Sequence, residues 1–313
     1  MDYCNKPLRL DDNSRHIEGC ILFNLGRSEH DQGNFEEALV LYRRALKSME
    51  RVCNEDHHDE NLALALLISV GQIQYIRGDH SESLKTYQTS LSLSAAAFGK
   101  DSLQVAACMN CIGVLHYIMH EGDSSLAMRT LQKSLAIRVR KLGDSHIDVG
   151  TTWNNIGRIY FQNGDYEDAM KGYLAALRIR RKIQGESVDV AATLFNIGQV
   201  YHQLNAREDA LSHYKAFLLL AKEHFGDFHR DVCIVTTCMG QVYHEMKDYD
   251  SALKSFHRAL EVGKIALGAI HAEVAITLVR QDLLCTELLS MSLVDTLLIF
   301  FCNISFFSLE QTR

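Results

Sequence analysis

The chain has 313 residues, of which 47% are apolar and 23% charged, with a formal net charge of −7. That length suits two average domains or one elongated array, and the composition excludes disorder as the main state. The acidic balance argues against nucleic acid as a partner, because such proteins present basic surfaces that displace counterions from phosphates.

Residues 1–13 read as a short N-terminal arm. The first twenty residues contain no basic start followed by an apolar run, so no secretory signal is read there and the cytoplasm is the expected compartment. Nine cysteines are scattered along the chain and are expected to stay reduced and pack as small apolar groups. The single proline is Pro7. Nothing after it forces a helix to break, which points to an all-α fold.

From residue 14 to 265 one pattern repeats. Glycines at 26, 71, 113, 157, 198 and 240 are spaced by 45, 42, 44, 41 and 42 residues. Twelve residues after each comes a small residue: Ala38, Ser83, Ala169, Ala210 and Ala252, with Ala127 in the third copy once two inserted residues are allowed. Four further on stands a large one, Tyr42, Tyr87, Leu131, Tyr173, Tyr214 or Phe256. Three beyond that is a second small residue, Ala45, Ser90, Ser134, Ala176 or Ala259, with Phe217 the exception. Polar turns such as "QGNFEEA" and "NGDYEDA" lie between glycine and small residue, where Gly and Asp suit the end of one helix and the start of the next.

Small residues on facing helices let two backbones approach, and the large residue fills the gap to the neighbouring hairpin. No single hairpin buries its apolar face alone, so a period in this range predicts a right-handed α-solenoid of stacked antiparallel helical hairpins, in six copies.

The order Trp153, Ile156, Gly157, Tyr160, Ala169, Tyr173, Ala176 resembles the tetratricopeptide-repeat signature. The family's basic unit is about 34 residues, and the extra length here falls after the second helix, in joints reading "LGDSHIDVG", "FGDFHRDVC" and "LGAIHAEVA". These resemble the joints of the cargo-binding repeats of kinesin light chain, although the proline expected in them is absent and only Asn154 and Asn155 keep the doubled asparagine. Residues 1–13 are too short for the heptad-bearing arm of a motor subunit.

The resemblance implies a non-enzymatic adaptor that binds peptide segments of partner proteins in a concave groove lined by the first helix of each hairpin. The groove positions fall three and two residues before the glycine and one after it. They place Asn24, Arg27, Asn110, Asn154, Asn155, Arg158, Asn196, Gln199 and Gln241 as candidate peptide contacts. Carboxamides can donate to and accept from an extended backbone, and a guanidinium can clamp a carboxylate. Asparagine is also a mediocre helix former, so its return at 24, 155 and 196 asks for a reason beyond propensity.

Other clusters compete with this reading. Cys108, Cys111, His116 and His120 have a zinc-like spacing, but a step of about 100° per residue spreads them around one helix. Cys233 and Cys238 are weaker still. His57, His58, Asp59, His146, His229 and His271 fall in the joints, where helix-start chemistry accounts for them. The runs "IRVRK" (137–141) and "RIRRK" (178–182) sit at second-helix ends, where cations complement the helix dipole. No nucleophile elbow, phosphate loop or dinucleotide fingerprint is present, so no enzyme activity, cofactor, metal or small-molecule substrate is expected.

A seventh repeat begins over 266–285, but Asp282 stands where the glycine belongs. Residues 286–313 form an atypical hydrophobic tail. Its 22 residues from Leu288 to Leu309 are long enough to span a bilayer, but Asp295 lies within them. A tail anchor, a cap on the last repeat and an altered end all remain open, the first making the chain a membrane receptor that presents the same groove.

Overall fold

The turn inside each repeat shows how local sequence builds this chain. After α1 (Asp12–Asp31), Gly33 takes a left-handed conformation, φ +83°, and Asn34 N–H donates to the Glu29 carbonyl at 2.9 Å. This six-to-one bond ties off the helix end and turns the chain into α2 (Phe35–Met49), which opens on Glu36 and Glu37 and so complements its own dipole. The same bond recurs from Asp79 to Gln74, Asp165 to Tyr160, Ala206 to Tyr201 and Asp248 to Tyr243. In the last two turns the left-handed residue is Asn205 or Lys247 instead of glycine. Lysine carries a Cβ penalty there that glycine does not, so Lys247→Gly is expected to raise stability by about 1 kcal/mol. The check is a higher urea midpoint at unchanged slope.

The computed structural model describes residues 12–49, 58–119 and 124–289. Among them there is no strand. Two units divide between Asp165 and Tyr166. The first holds α1, α2, α3 (His58–Ile76), α4 (His80–Phe98), α5 (Leu103–Met119), α6 (Ser125–Leu142) and α7 (Ile147–Asn163). The second holds α8 (Tyr166–Gln184), α9 (Val188–Gln203), α10 (Arg207–Phe225), α11 (Arg230–Glu245), α12 (Tyr249–Ala266) and α13 (272–289). Within each unit the helices are antiparallel hairpins stacked in chain order: α1 with α2, α3 with α4 and α5 with α6 in the first, α9 with α10 and α11 with α12 in the second. The all-α repeat fold expected from the glycine spacing is the fold observed.

The hairpins close on the glycines. A Cβ built on Gly26 would lie 2.5 Å from the Tyr42 ring, and one on Gly198 would lie 2.6 Å from the Tyr214 ring. Gly71 faces Tyr87, Gly113 faces Leu131 and Gly240 faces Phe256 in the same way. The small residues at both offsets are fully buried, and where one is serine its hydroxyl is satisfied across the interface. Ser83 donates to the Gly71 carbonyl at 2.8 Å and Ser134 to the Ala106 carbonyl at 2.7 Å.

Joints between hairpins are capped by histidine. Nδ1 of His146 accepts from Asp148 N–H, His229 from Asp231 N–H and His271 from Glu273 N–H, each at 3.2 Å. His146→Ala is expected to cost roughly 0.5–2 kcal/mol, and His146→Asn, a side chain that also caps, much less. Thermal unfolding of the two variants side by side separates them. His57 and the side chains of His58 and Asp59 lie outside the described residues.

The basic runs do more than complement dipoles. Arg138 on α6 is buried and donates to the Asp148 carbonyl and to Thr152 Oγ1, both at 2.8 Å. Arg180 on α8 repeats this with the Asp189 carbonyl at 3.0 Å and Thr193 Oγ1 at 2.6 Å on α9. Each threonine hydroxyl in turn donates to that same carbonyl. A second helix is thereby clamped to the next first helix.

Candidate functional site

In the first unit the faces of α1, α3, α5 and α7 border a cavity of about 490 Å³. Position relative to the repeat glycine decides which side chains reach it. One residue after the glycine come Gln72, Val114 and Arg158, and three or two before it come Asn110, Cys111 and Asn155. Four after it come His30 and Tyr75, with Leu115, Ile76 and the Tyr87 ring completing an apolar wall. Residues at +1 and +4 share one helix face, so His30 and Tyr75 carried a signal that the three expected offsets left out.

Three of the nine candidate contacts therefore share one cavity. Asn155 Nδ2 on α7 donates to Asn110 Oδ1 on α5 at 3.2 Å, linking consecutive first helices. Arg158, half-buried, lies one turn along α7 and acts on the Tyr117 phenol, partly opposing the burial that raises its pKa. Among the described residues lining the cavity there is no carboxylate, and Arg158 is the permanently charged group. The wall can take an apolar side chain while the rim offers carboxamides, an imidazole and a guanidinium.

The other candidates stand apart from this cavity. Asn24 and Arg27 are exposed on α1, with the Arg27 guanidinium 6.0 Å from the Phe23 ring centre. Asn154 is half-buried on α7 and does not line it. In the second unit Asn196, Gln199 and Gln241 are half-buried on their first helices. There the +4 and +5 positions form a polar chain: His202 Nε2 lies 3.0 Å from Glu245, Gln241 donates to Glu245 at 3.3 Å, and Arg207 lies 3.5 Å from it. His244 pairs with Glu287 at 2.6 Å. Of those groups only Gln241 was among the expected contacts.

The cysteines divide between two surroundings. Cys108 is buried, with its sulfur 3.2 Å from Ser90 Oγ, whereas Cys111 borders the cavity and packs against the core cluster that holds Tyr87. Burial pushes both thiols above their usual range and Cys238 up to about 11, the reverse of what a reactive thiolate needs. His120 lies outside the described residues. Among those described, no group of three or more His, Cys, Asp or Glu side chains is placed to hold a metal ion.

Hairpins keyed by a glycine notch and an aromatic, with a polar face on consecutive first helices, define a helical-repeat scaffold. The chain belongs to the tetratricopeptide-repeat family: family models of that description match residues 61–140 and 148–222, and 23–59 and 236–273. No curated protein sequence matches it. Among solved structures it is similar to BtubC (BKLC) from P. vanneervenii, with a TM-score of 0.61 and 20% identity over 73% of this chain and 90% of that one. The putative kinesin light chain repeats of Podosopora anserina give 0.51 at 16% identity, over 66% and 96%. A Rap protein complexed with Competence and Sporulation Factor gives 0.60 at 16%, over 87% and 76%. At these identities the likeness is one of fold, and it includes a kinesin light chain-like protein.

No helix among the described residues is long and apolar enough to cross a membrane. The tail reading falls almost wholly on residues 290–313, outside the described residues.

Proposed function

We propose that this chain is a non-enzymatic adaptor that holds an extended peptide segment of a partner protein along its first-helix faces, with the cavity of the first unit as the main anchor. In this reading residues 14–265 act as one six-repeat array. The observation that carries it is the meeting of Asn110, Asn155 and Arg158, from three different groove offsets, in one cavity beside an apolar wall. The absence of carboxylates among the described lining residues favours an anionic segment carrying an apolar side chain. That a Rap protein of the same fold is known in complex with Competence and Sporulation Factor is consistent with it.

Peptides selected from a random display library on the full chain are the test. Asn155→Ala is expected to weaken the selected peptides about fivefold, the worth of one neutral hydrogen bond. Arg158→Ala is expected to weaken acidic ones about 10- to 100-fold, with a loss that shrinks as salt rises. Selected peptides that are basic, or indifferent to both substitutions, would place the working surface elsewhere.

A further inference from the structure

Histidine returns at one position of the first helices. His30, His202 and His244 each lie four residues after their repeat's glycine, on α1, α9 and α11. Two of the three hold a glutamate from the next first helix. His202 Nε2 lies 3.0 Å from both carboxylate oxygens of Glu245, and His244 Nε2 lies 2.6 Å from Glu287 Oε2. Each glutamate stands five residues after the glycine position of its own repeat, a position held by Asp282 in the seventh. A histidine at +4 and a carboxylate at +5 one repeat later therefore meet across neighbouring first helices.

The first unit breaks this pairing. Five residues after Gly71 comes Ile76, 54% exposed and part of the cavity wall. His30 is half-buried, borders the same cavity, and meets the Phe35 ring edge-on at 5.7 Å between ring centres. Among the described residues neither its imidazole nor the Arg158 guanidinium makes a hydrogen bond or an ion pair. The carboxylates on α1 and α2 near His30 do not supply one: Glu29 accepts from Asn34 at 2.8 Å, Glu36 pairs with Arg77 of α3 at 2.7 Å, and Asp31 and Glu37 are exposed. Its other charged or titratable neighbours among the described residues are Arg27 on α1, Tyr75 on α3, and Tyr87, Cys111 and Arg158 around the cavity.

We propose that His30 is a second ligand-binding residue of this cavity, which thereby reads two acidic side chains of one extended segment. One carboxylate meets Arg158, and the other takes the place that a glutamate of the next repeat fills for His202 and His244. This rests on the groove reading above. Imidazole changes charge between about pH 5 and 8, whereas aspartate and glutamate stay ionised down to about pH 5. Protonation of His30 therefore takes the cavity from one positive charge to two and turns a neutral hydrogen bond into a charge-assisted one. The acidic segment binds more tightly as pH falls.

The test uses the full chain and a rhodamine-labelled dodecapeptide of alternating aspartate and leucine, read by anisotropy at pH 8.0 and pH 6.0 and constant ionic strength. The parent is expected to bind about five- to tenfold more tightly at pH 6.0, the difference between a neutral and a charge-assisted hydrogen bond. His30→Gln is expected to match the parent at pH 8.0 and to stay within twofold of that affinity at pH 6.0. His30→Lys, a permanent cation, is expected to reach the parent's pH 6.0 affinity at both pH values. A peptide with one aspartate, the others changed to asparagine, should lose the pH dependence, because Arg158 takes its single carboxylate. Parent binding that does not change with pH, a pH dependence that survives in His30→Gln, or one that survives with the single-aspartate peptide overturns the role of His30 alone. No binding, or binding indifferent to Arg158→Ala, overturns the groove reading, and this role with it.

Discussion

Tyr214→Ala is expected to destabilise the protein by about 3–5 kcal/mol, the range for emptying an aromatic site in a close-packed core. Tyr214 is fully buried and its ring occupies the notch over Gly198, beside Phe195 at 5.8 Å between ring centres. Glycine has no side chain to move into the void, so collapse is limited. Against a total of roughly 5–15 kcal/mol, the loss is a fifth or more of the stability. Tyr214→Phe is the informative partner. The hydroxyl is buried without a hydrogen-bond partner among the described residues, and burial drives its pKa well up. Phe256 already occupies the matching position over Gly240. Phenylalanine should therefore be neutral or stabilising. Urea unfolding of both variants checks the pair, and an alanine loss under about 1 kcal/mol would show that the ring is not what keys the hairpin.

Arg180→Ala should cost about 3 kcal/mol, since hydrogen bonds to a charged donor are worth roughly 1.5–3 kcal/mol each and this guanidinium makes two. Burial works to lower its pKa, with Asp189 opposing, so the charge is held in place by the carbonyl and hydroxyl on α9. Removing both ends of the clamp together should be milder than removing one. Arg180→Met with Thr193→Val turns the joint apolar, as replacement of buried polar pairs by packed hydrophobics often allows. Natural joints of this chain already look like that: Met49 and Leu66 share a core cluster, and Ala221 and Val235 hold the corresponding buried positions. A double variant less stable than Arg180→Ala in a double-mutant cycle would contradict this account.

The functional predictions are smaller in energy but bear on different residues. Asn155 and Arg158 line the cavity, so their replacement should change binding; Arg158→Ala should leave the unfolding midpoint nearly unmoved, whereas Asn155→Ala also removes the hydrogen bond to the buried Asn110 and should cost about 1 kcal/mol. Tyr214 and Arg180 should do the reverse.

The sequence by itself determined the hairpin. Glycine, small residue and aromatic lie at constant offsets within about twenty residues, and contacts that close within one hairpin must obey the helical period, so spacing alone reveals them. It also determined the helix ends, because a left-handed glycine or a capping side chain acts on backbone groups only a few residues away. Only the tertiary structure decided what the repeats do to one another. Arg138 and Arg180 read as cations at helix ends, yet they reach forward to clamp Thr152 and Thr193 on the following helix. Of the nine groove candidates, it was the stacking of α5 and α7 that brought Asn110, Asn155 and Arg158 to one cavity with His30 and Tyr75. Such contacts join residues some forty apart, as Asn110 and Asn155 are, and their register depends on joint length and stacking angle, which no local period encodes.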